Sequence, residues 1–194
     1  MTTNNGWEVV RVDNDDETGY RGALYQGTFN GKTEYIYATQ GTNPTSLKDW
    51  QNNAQQVFGN SPQYDQSVDY AKQYADQYNG VSFTGHSLGG GLASANALKV
   101  GGKAVTFNAA GLSNTTKERL DLNKTANISA YVVQGEAVSH YQSMAGLKAE
   151  GNITTLPATY VPQVPLLTID DAYRTYQRVQ NHMMGAVIQR FPTK

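Results

Sequence analysis

Two β-type runs stand near the start of the chain, Ala23 to Phe29 and Glu34 to Thr39, separated by Asn30-Gly31-Lys32-Thr33. Asn-Gly between such runs predicts a hairpin, because both residues tolerate the positive φ that a tight turn between strands requires. Beyond Gly41-Thr42-Asn43-Pro44 and a polar stretch around Trp50 the period changes. Tyr64, Val68, Ala71, Tyr74, Ala75 and Tyr78 recur at spacings of three and four, which predicts a helix from about Pro62 to Tyr78 with one aromatic face. Packing of that face on a sheet accounts for it better than an aromatic binding surface does.

From there short apolar runs alternate with helical segments. Val81 to Thr84 reads as a strand and Leu92 to Val100 as a helix of small residues closed by Gly101-Gly102. Ala104 to Asn108, Ile128 to Val133 and Asn152 to Leu156 read as further strands. The tail from about Asp170 to Phe191 is helical in pattern, with an interruption near Asn181-His182. Strands alternating with helices predict an α/β fold, a mostly parallel sheet flanked by helices, with the opening hairpin as its antiparallel edge. No internal repeat or linker-like break divides the sequence, so residues 1–194 are read as one domain, long enough to bury a single core.

Composition narrows the function. Only 16 % of residues are charged and the net charge is −1, which leaves no electrostatic footprint for nucleic acid or anionic lipid. There is no cysteine, which excludes a thiol nucleophile, a disulfide framework and Cys-type metal sites. Three histidines, His86, His140 and His182, are too few to spend on a multi-His metal centre, and neither metal nor cofactor is expected. The N-terminus lacks the basic start and apolar stretch of a signal peptide, and no run approaches the ~20 apolar residues of a membrane span. The expectation is a soluble protein, cytoplasmic or exported by a route independent of such a signal.

The chemistry centres on Gly85-His86-Ser87-Leu88-Gly89, a G-x-S-x-G pattern between a strand and a helix. That context is the nucleophile elbow: Ser87 occupies a sharp turn at the carboxyl end of a strand, glycines two positions away on either side remove clashing Cβ atoms, and the Leu88 N–H points at the reacting carbonyl. A serine nucleophile needs a histidine base and an acid to orient it. His86, inside the elbow, is expected to turn its ring away from the serine and to join Gly41, Leu166 and Leu167 in lining the substrate pocket. Chain order, with the histidine last, prefers His182 over His140. Glu136 follows directly after a predicted strand and is the preferred acid. Asp170 and Asp171 read instead as helix-start residues, and His140 as base would call on Glu118, Asp121 or Glu136. Gly41-Thr42, after an earlier strand, suits the second donor of an oxyanion hole, the Thr42 N–H.

These residues resemble the class 3 lipase family of α/β-hydrolases, which includes fungal triacylglycerol lipases, phospholipases A1, feruloyl esterases and compact bacterial lipase-like domains. The resemblance runs through Ala38-Thr39-Gln40-Gly41-Thr42 with Asp49-Trp50 downstream, the elbow itself, Val105 to Gly111, Val132 to Val138, and Asn181-His182. It departs from the family in Glu136, where Asp is usual, and in lacking an evident amphipathic lid after the oxyanion strand. It implies a Ser87–His182–Glu136 triad hydrolysing acyl esters, of lipid or phospholipid first, with a soluble carboxylic or feruloyl-type ester as the alternative. Similar compact domains serve as secreted antibacterial effectors, which would add an inhibitor or immunity partner. A non-catalytic hydrolase-like binding module is the remaining reading. The apolar, proline-marked stretch Tyr160 to Ile169, containing Leu166 and Leu167, is expected to line or gate an acyl pocket, or to form a buried connection. Any membrane contact is expected to be transient.

Overall fold

The computed structural model describes residues 6–41, 61–144, 146–159 and 171–190. Seven strands among them form one sheet in chain order: β1 (Trp7–Asp15), β2 (Tyr20–Phe29), β3 (Lys32–Thr39), β4 (Ser82–His86), β5 (Lys103–Phe107), β6 (Asn127–Val133) and β7 (Asn152–Leu156). β1, β2 and β3 pair antiparallel, and β3 through β7 pair parallel. The α/β fold is therefore the one expected, with the hairpin at its antiparallel side. The turn is tighter than the four-residue link read from sequence: β2 runs to Phe29 and β3 begins at Lys32, leaving Asn30 and Gly31 alone with φ of 51° and 75°.

Strand β1 escapes the sequence pattern for a physical reason. A register shift between Val9 and Arg11 puts Val10 out of phase, so the alternation that would mark the strand is broken. Among the helices, α1 (Pro62–Gln77) is the expected aromatic one. Ser61 caps its N-terminus by accepting from the Gln63 N–H, and Pro62 opens it. α2 (Leu88–Val100) ends on Gly101 in the left-handed conformation. Two short helices, α3 (Asn114–Arg119) and α4 (Ala137–Met144), were too brief to show a period. The tail divides into α5 (Asp171–His182) and α6 (Met184–Ile188), interrupted at Met183 where a break is expected.

Register explains where the core lies. Leu24, Tyr37, Phe83, Ala104 and Ile128 are successive cross-strand partners from β2 to β6, and each is at most 3 % exposed. Their side chains share one face, and Tyr64, Val68, Ala71 and Tyr74 of α1 and Leu92 of α2 close over it. The tyrosine stripe is thus packing, as its spacing suggests. α2 is buried along Leu88 to Ala97, which explains why it is built from Gly, Ala, Ser and Asn rather than as an amphipathic helix. The neighbouring row on the other face, Val12, Ala23, Ala38, Thr84 and Val105, is only partly covered, and Val12 is 56 % and Val105 41 % exposed. Among the described residues no helix is long and apolar enough to cross a membrane.

Candidate active site

β4 ends at His86 and α2 begins at Leu88, so Ser87 alone makes the turn, with φ 59° and ψ −126°. A residue with a Cβ occupies that region only under constraint. The constraint is visible: the Ser87 N–H donates to the Phe107 carbonyl at 3.1 Å, and the Ser87 carbonyl accepts from Gly91 at 3.2 Å and Ala110 at 2.9 Å. The two elbow glycines are required by contact. A Cβ on Gly85 would strike the Gly89 carbonyl, and one on Gly89 would strike the Thr39 carbonyl and come within 2.8 Å of Gln40 and Gly41 backbone atoms. The turn leaves Ser87 at the head of α2, where the Leu88 N–H belongs to the first helical turn and has no carbonyl within the helix to bond.

The chain leaving β3 crosses this elbow closely. A Cβ on Gly41 would lie 2.6 Å from the His86 carbonyl oxygen and 3.3 Å from the Ser87 Cβ. The expected oxyanion glycine is therefore beside the serine. Thr42, Leu166 and Leu167 lie outside the described residues, as do Asp49, Trp50 and Asp170.

The histidine and the acid arrive from opposite ends of the remaining chain. His182 is the last residue of α5 and is 2 % exposed, and its Nδ1 lies 2.6 Å from the Oε2 of Glu136, which is fully buried. Glu136 stands between β6 and α4 and also accepts from the first turn of α4, from the Val138 N–H at 2.7 Å and from the Ser139 N–H. A buried carboxylate is tolerable only with such partners. Here two backbone donors and an imidazole supply them, and the positive end of a helix adds a favourable field.

Two further side chains hold His182. The His86 ring centroid is 4.6 Å from that of His182, and its Nε2–H donates to the His182 carbonyl at 2.6 Å. His86 is thus turned toward the second histidine. Burial first, then the neighbouring His182, push its pKa down to about 4. Asn108, directly after β5 and with a φ of 44°, donates from Nδ2 to the carbonyls of Asn181 at 3.2 Å and His182 at 2.8 Å. Its Oδ1 accepts from the Val133 N–H at 2.8 Å. Sequence reading passed over Asn108. The local signal is weak: an Asn just past a parallel strand, at the sheet edge where sites form.

His140 sits half-buried on α4, its pKa lowered by burial and by Arg178 and raised by Glu136. Glu118 and Asp121 are exposed, and Asp171 opens α5, the helix-start position expected of it. Among the described residues, no group of three or more His, Asp or Glu is placed to hold a metal ion.

A mostly parallel sheet with a strained strand–serine–helix turn at its carboxyl edge defines an α/β-hydrolase. Within that class, the family model for the Tle-like phospholipase domain matches residues 4–183, and the chain belongs to that phospholipase-like family. It is also 41 % identical, over 102 residues, to the extracellular phospholipase A1 of Serratia liquefaciens. The match covers 52 % of this chain and 31 % of the Serratia protein, so the chain spans about a third of the length of that relative. Among solved structures, Lip2 lipase from Yarrowia lipolytica aligns over 97 % of this chain and 81 % of its own, with a TM-score of 0.54 at 16 % identity. A lipase from Rhizopus microsporus var. chinensis aligns over 74 % of this chain and 58 % of its own, with a TM-score of 0.55 at 18 % identity. At these identities the structural likeness bears on the fold alone.

Proposed function

We propose that this domain hydrolyses acyl ester bonds of a lipid or phospholipid through Ser87, His182 and Glu136. The observation that carries the reading is the buried pair His182 Nδ1–Glu136 Oε2, 2.6 Å apart, with the His182 main chain bonded to the residue that precedes Ser87. With its Nδ1–H given to Glu136, the imidazole presents Nε2 as its basic nitrogen. Ser87 Oγ attacks the ester carbonyl while His182 takes its proton, and the tetrahedral oxyanion is received by the N–H groups of Leu88 and Thr42. His182 returns the proton to the departing alcohol, and an acyl-enzyme remains. A water then attacks with His182 again as base, releasing the acid and restoring Ser87. Glu136 stays ionised throughout and holds the ring in the productive tautomer.

Membership of a phospholipase-like family and the likeness to a phospholipase A1 support a lipid ester as substrate. With a net charge of −1, contact with a bilayer rests on apolar surface rather than Coulomb attraction. Leu166 and Leu167 keep their place in this reading as acyl-pocket residues. The decisive experiment compares wild type and Ser87→Ala on phosphatidylcholine vesicles and with a fluorophosphonate probe. Release of fatty acid and labelling by wild type, both lost by about 10⁴-fold or more in the folded variant, is the expected result. Absence of labelling in folded wild-type protein would overturn the enzyme reading and leave the binding module.

A further inference from the structure

We infer that His86 and Asn108 form a two-sided clamp on the main chain of His182 and act as positioning residues for its imidazole. The inference rests on the proposed role of His182 as base. The geometry behind it begins with a helix end. His182 closes α5, and Met183 departs into extended backbone with ψ 147° before α6 starts. The last carbonyls of a helix have no intrahelical donor and must be satisfied from outside. Here that need is met by two side chains from the strand ends beside the nucleophile. His86 Nε2 and Asn108 Nδ2 converge on one oxygen, the His182 carbonyl, at 2.6 and 2.8 Å, and Asn108 also holds Asn181.

Asn108 is itself immobilised. Its Oδ1 accepts from Val133 at the end of β6, and its own N–H donates to the Tyr131 carbonyl at 2.8 Å. His86 belongs to the elbow whose next residue is Ser87. The clamp therefore ties the main chain of the base to the same strand ends that hold the nucleophile and the acid. This matters because the Glu136 bond alone fixes one point of the imidazole, its Nδ1. A ring held at one point pivots, and Nε2 moves most. Holding the carbonyl supplies the second point, and only ψ, χ1 and χ2 of the one residue lie between it and the ring. Misplacement of a reacting group by about 1 Å can cost on the order of 10²-fold in rate.

The His86 ring must carry its proton on Nε2 to make this bond, and its depressed pKa keeps it neutral at ordinary pH. It can thus pack against His182 without placing a second cation there, which would weaken the base.

The experiment measures kcat and KM for ester hydrolysis in His86→Gln, His86→Leu and Asn108→Asp, with thermal melts on each and Ser87→Ala as reference. Gln offers an amide N–H near the place of Nε2 and is expected to keep kcat within about 5-fold. Leu fills the space without a donor, and Asp keeps the acceptor for Val133 while losing the donor. Each is expected to lower kcat by about 10²-fold with KM changed less than 3-fold. Because the two arms are tested from different strands, one folded variant that lacks its donor is enough to decide. Loss of activity only in proportion to loss of folded protein would overturn the clamp, as would equal rates for Gln and Leu at position 86. Full activity in Ser87→Ala would instead overturn the reading of the site on which the clamp rests.

Discussion

Two carboxylates are buried among the described residues, Asp13 and Glu136, and they stand on opposite sides of β4 in the sheet order. Asp13 on β1 accepts from the hydroxyls of Tyr37 at 3.1 Å and Tyr74 at 2.5 Å, with the Arg11 Nε at 3.1 Å on its other oxygen. Burial pushes the Tyr37 and Tyr74 hydroxyls far above the usual phenol range, and Tyr20, bonded to Tyr37 at 2.7 Å, up to about 12. None of these partners exchanges a proton near neutral pH. The cluster is a staple joining β1, β2, β3 and α1. Glu136 is equally buried, but one of its partners is an imidazole, that of His182, whose carbonyl is bonded to His86, the residue before the strained Ser87. Burial of an acid therefore does not mark a reactive site. The chemistry of the groups it bonds does more to separate a structural acid from a candidate reactive one.

The sharpest way to break that contrast is to neutralise each acid in turn. Glu136→Gln keeps shape but reverses the demand on His182 Nδ1, favouring the wrong tautomer. A fall in kcat on the order of 10³- to 10⁴-fold is expected in a protein that still folds. A loss below 10-fold, measured by steady-state ester hydrolysis, would return Glu136 to a structural role.

Asp13→Ala should do the opposite. Two phenols and a guanidinium lose their shared acceptor, and unfolding in urea should show a loss of about 4 kcal/mol. The kcat of the folded fraction should stay within about 2-fold, and a large fall in it would make the staple part of the site.

The smaller effect concerns pH and separates the two regions again. Unfolded, His86 takes up a proton near its ordinary value of 6.5, whereas in the fold it does so only near 4. Between those values the unfolded chain binds more protons, so stability rises with pH across the window and is lost as pH falls through it. The loss contributed by this one group is about 3 kcal/mol at pH 4 and below. Urea unfolding at pH 7 and pH 4.5 should show it, and His86→Gln should remove it. An equal pH dependence in that variant would assign the loss to other groups.

Local patterns carried much of this architecture because they report on local constraints. Asn30-Gly31 spells a turn whose φ values few other pairs accept. The tyrosines of α1 spell a buried face because a helix returns to the same side every three to four residues. Gly85 and Gly89 spell an elbow because no side chain fits against the backbone there. β1 was illegible because its bulge breaks the alternation, and α3 and α4 because a helix of six or eight residues scarcely completes a period.

Within the candidate site, the elbow that carries Ser87 was legible from five consecutive residues, and elimination and chain order put His182 ahead of His140. Sequence could only rank Glu136 against other acids, and it could not bring His86 to His182, since nothing in a string of residues says which way a ring turns.

What the sequence by itself determined is the inventory: one elbow pattern, three histidines, no cysteine, and the order Ser87, Glu136, His182 along the chain. Only the tertiary structure decided that Glu136 meets His182, and that His86 and Asn108 both reach the carbonyl of His182. Those contacts span 46, 96 and 74 positions of chain. Separations of that length leave no periodic or neighbouring signal. They come into being when parallel strands bring their carboxyl ends to one edge, and hydrogen bonding there selects which side chains meet.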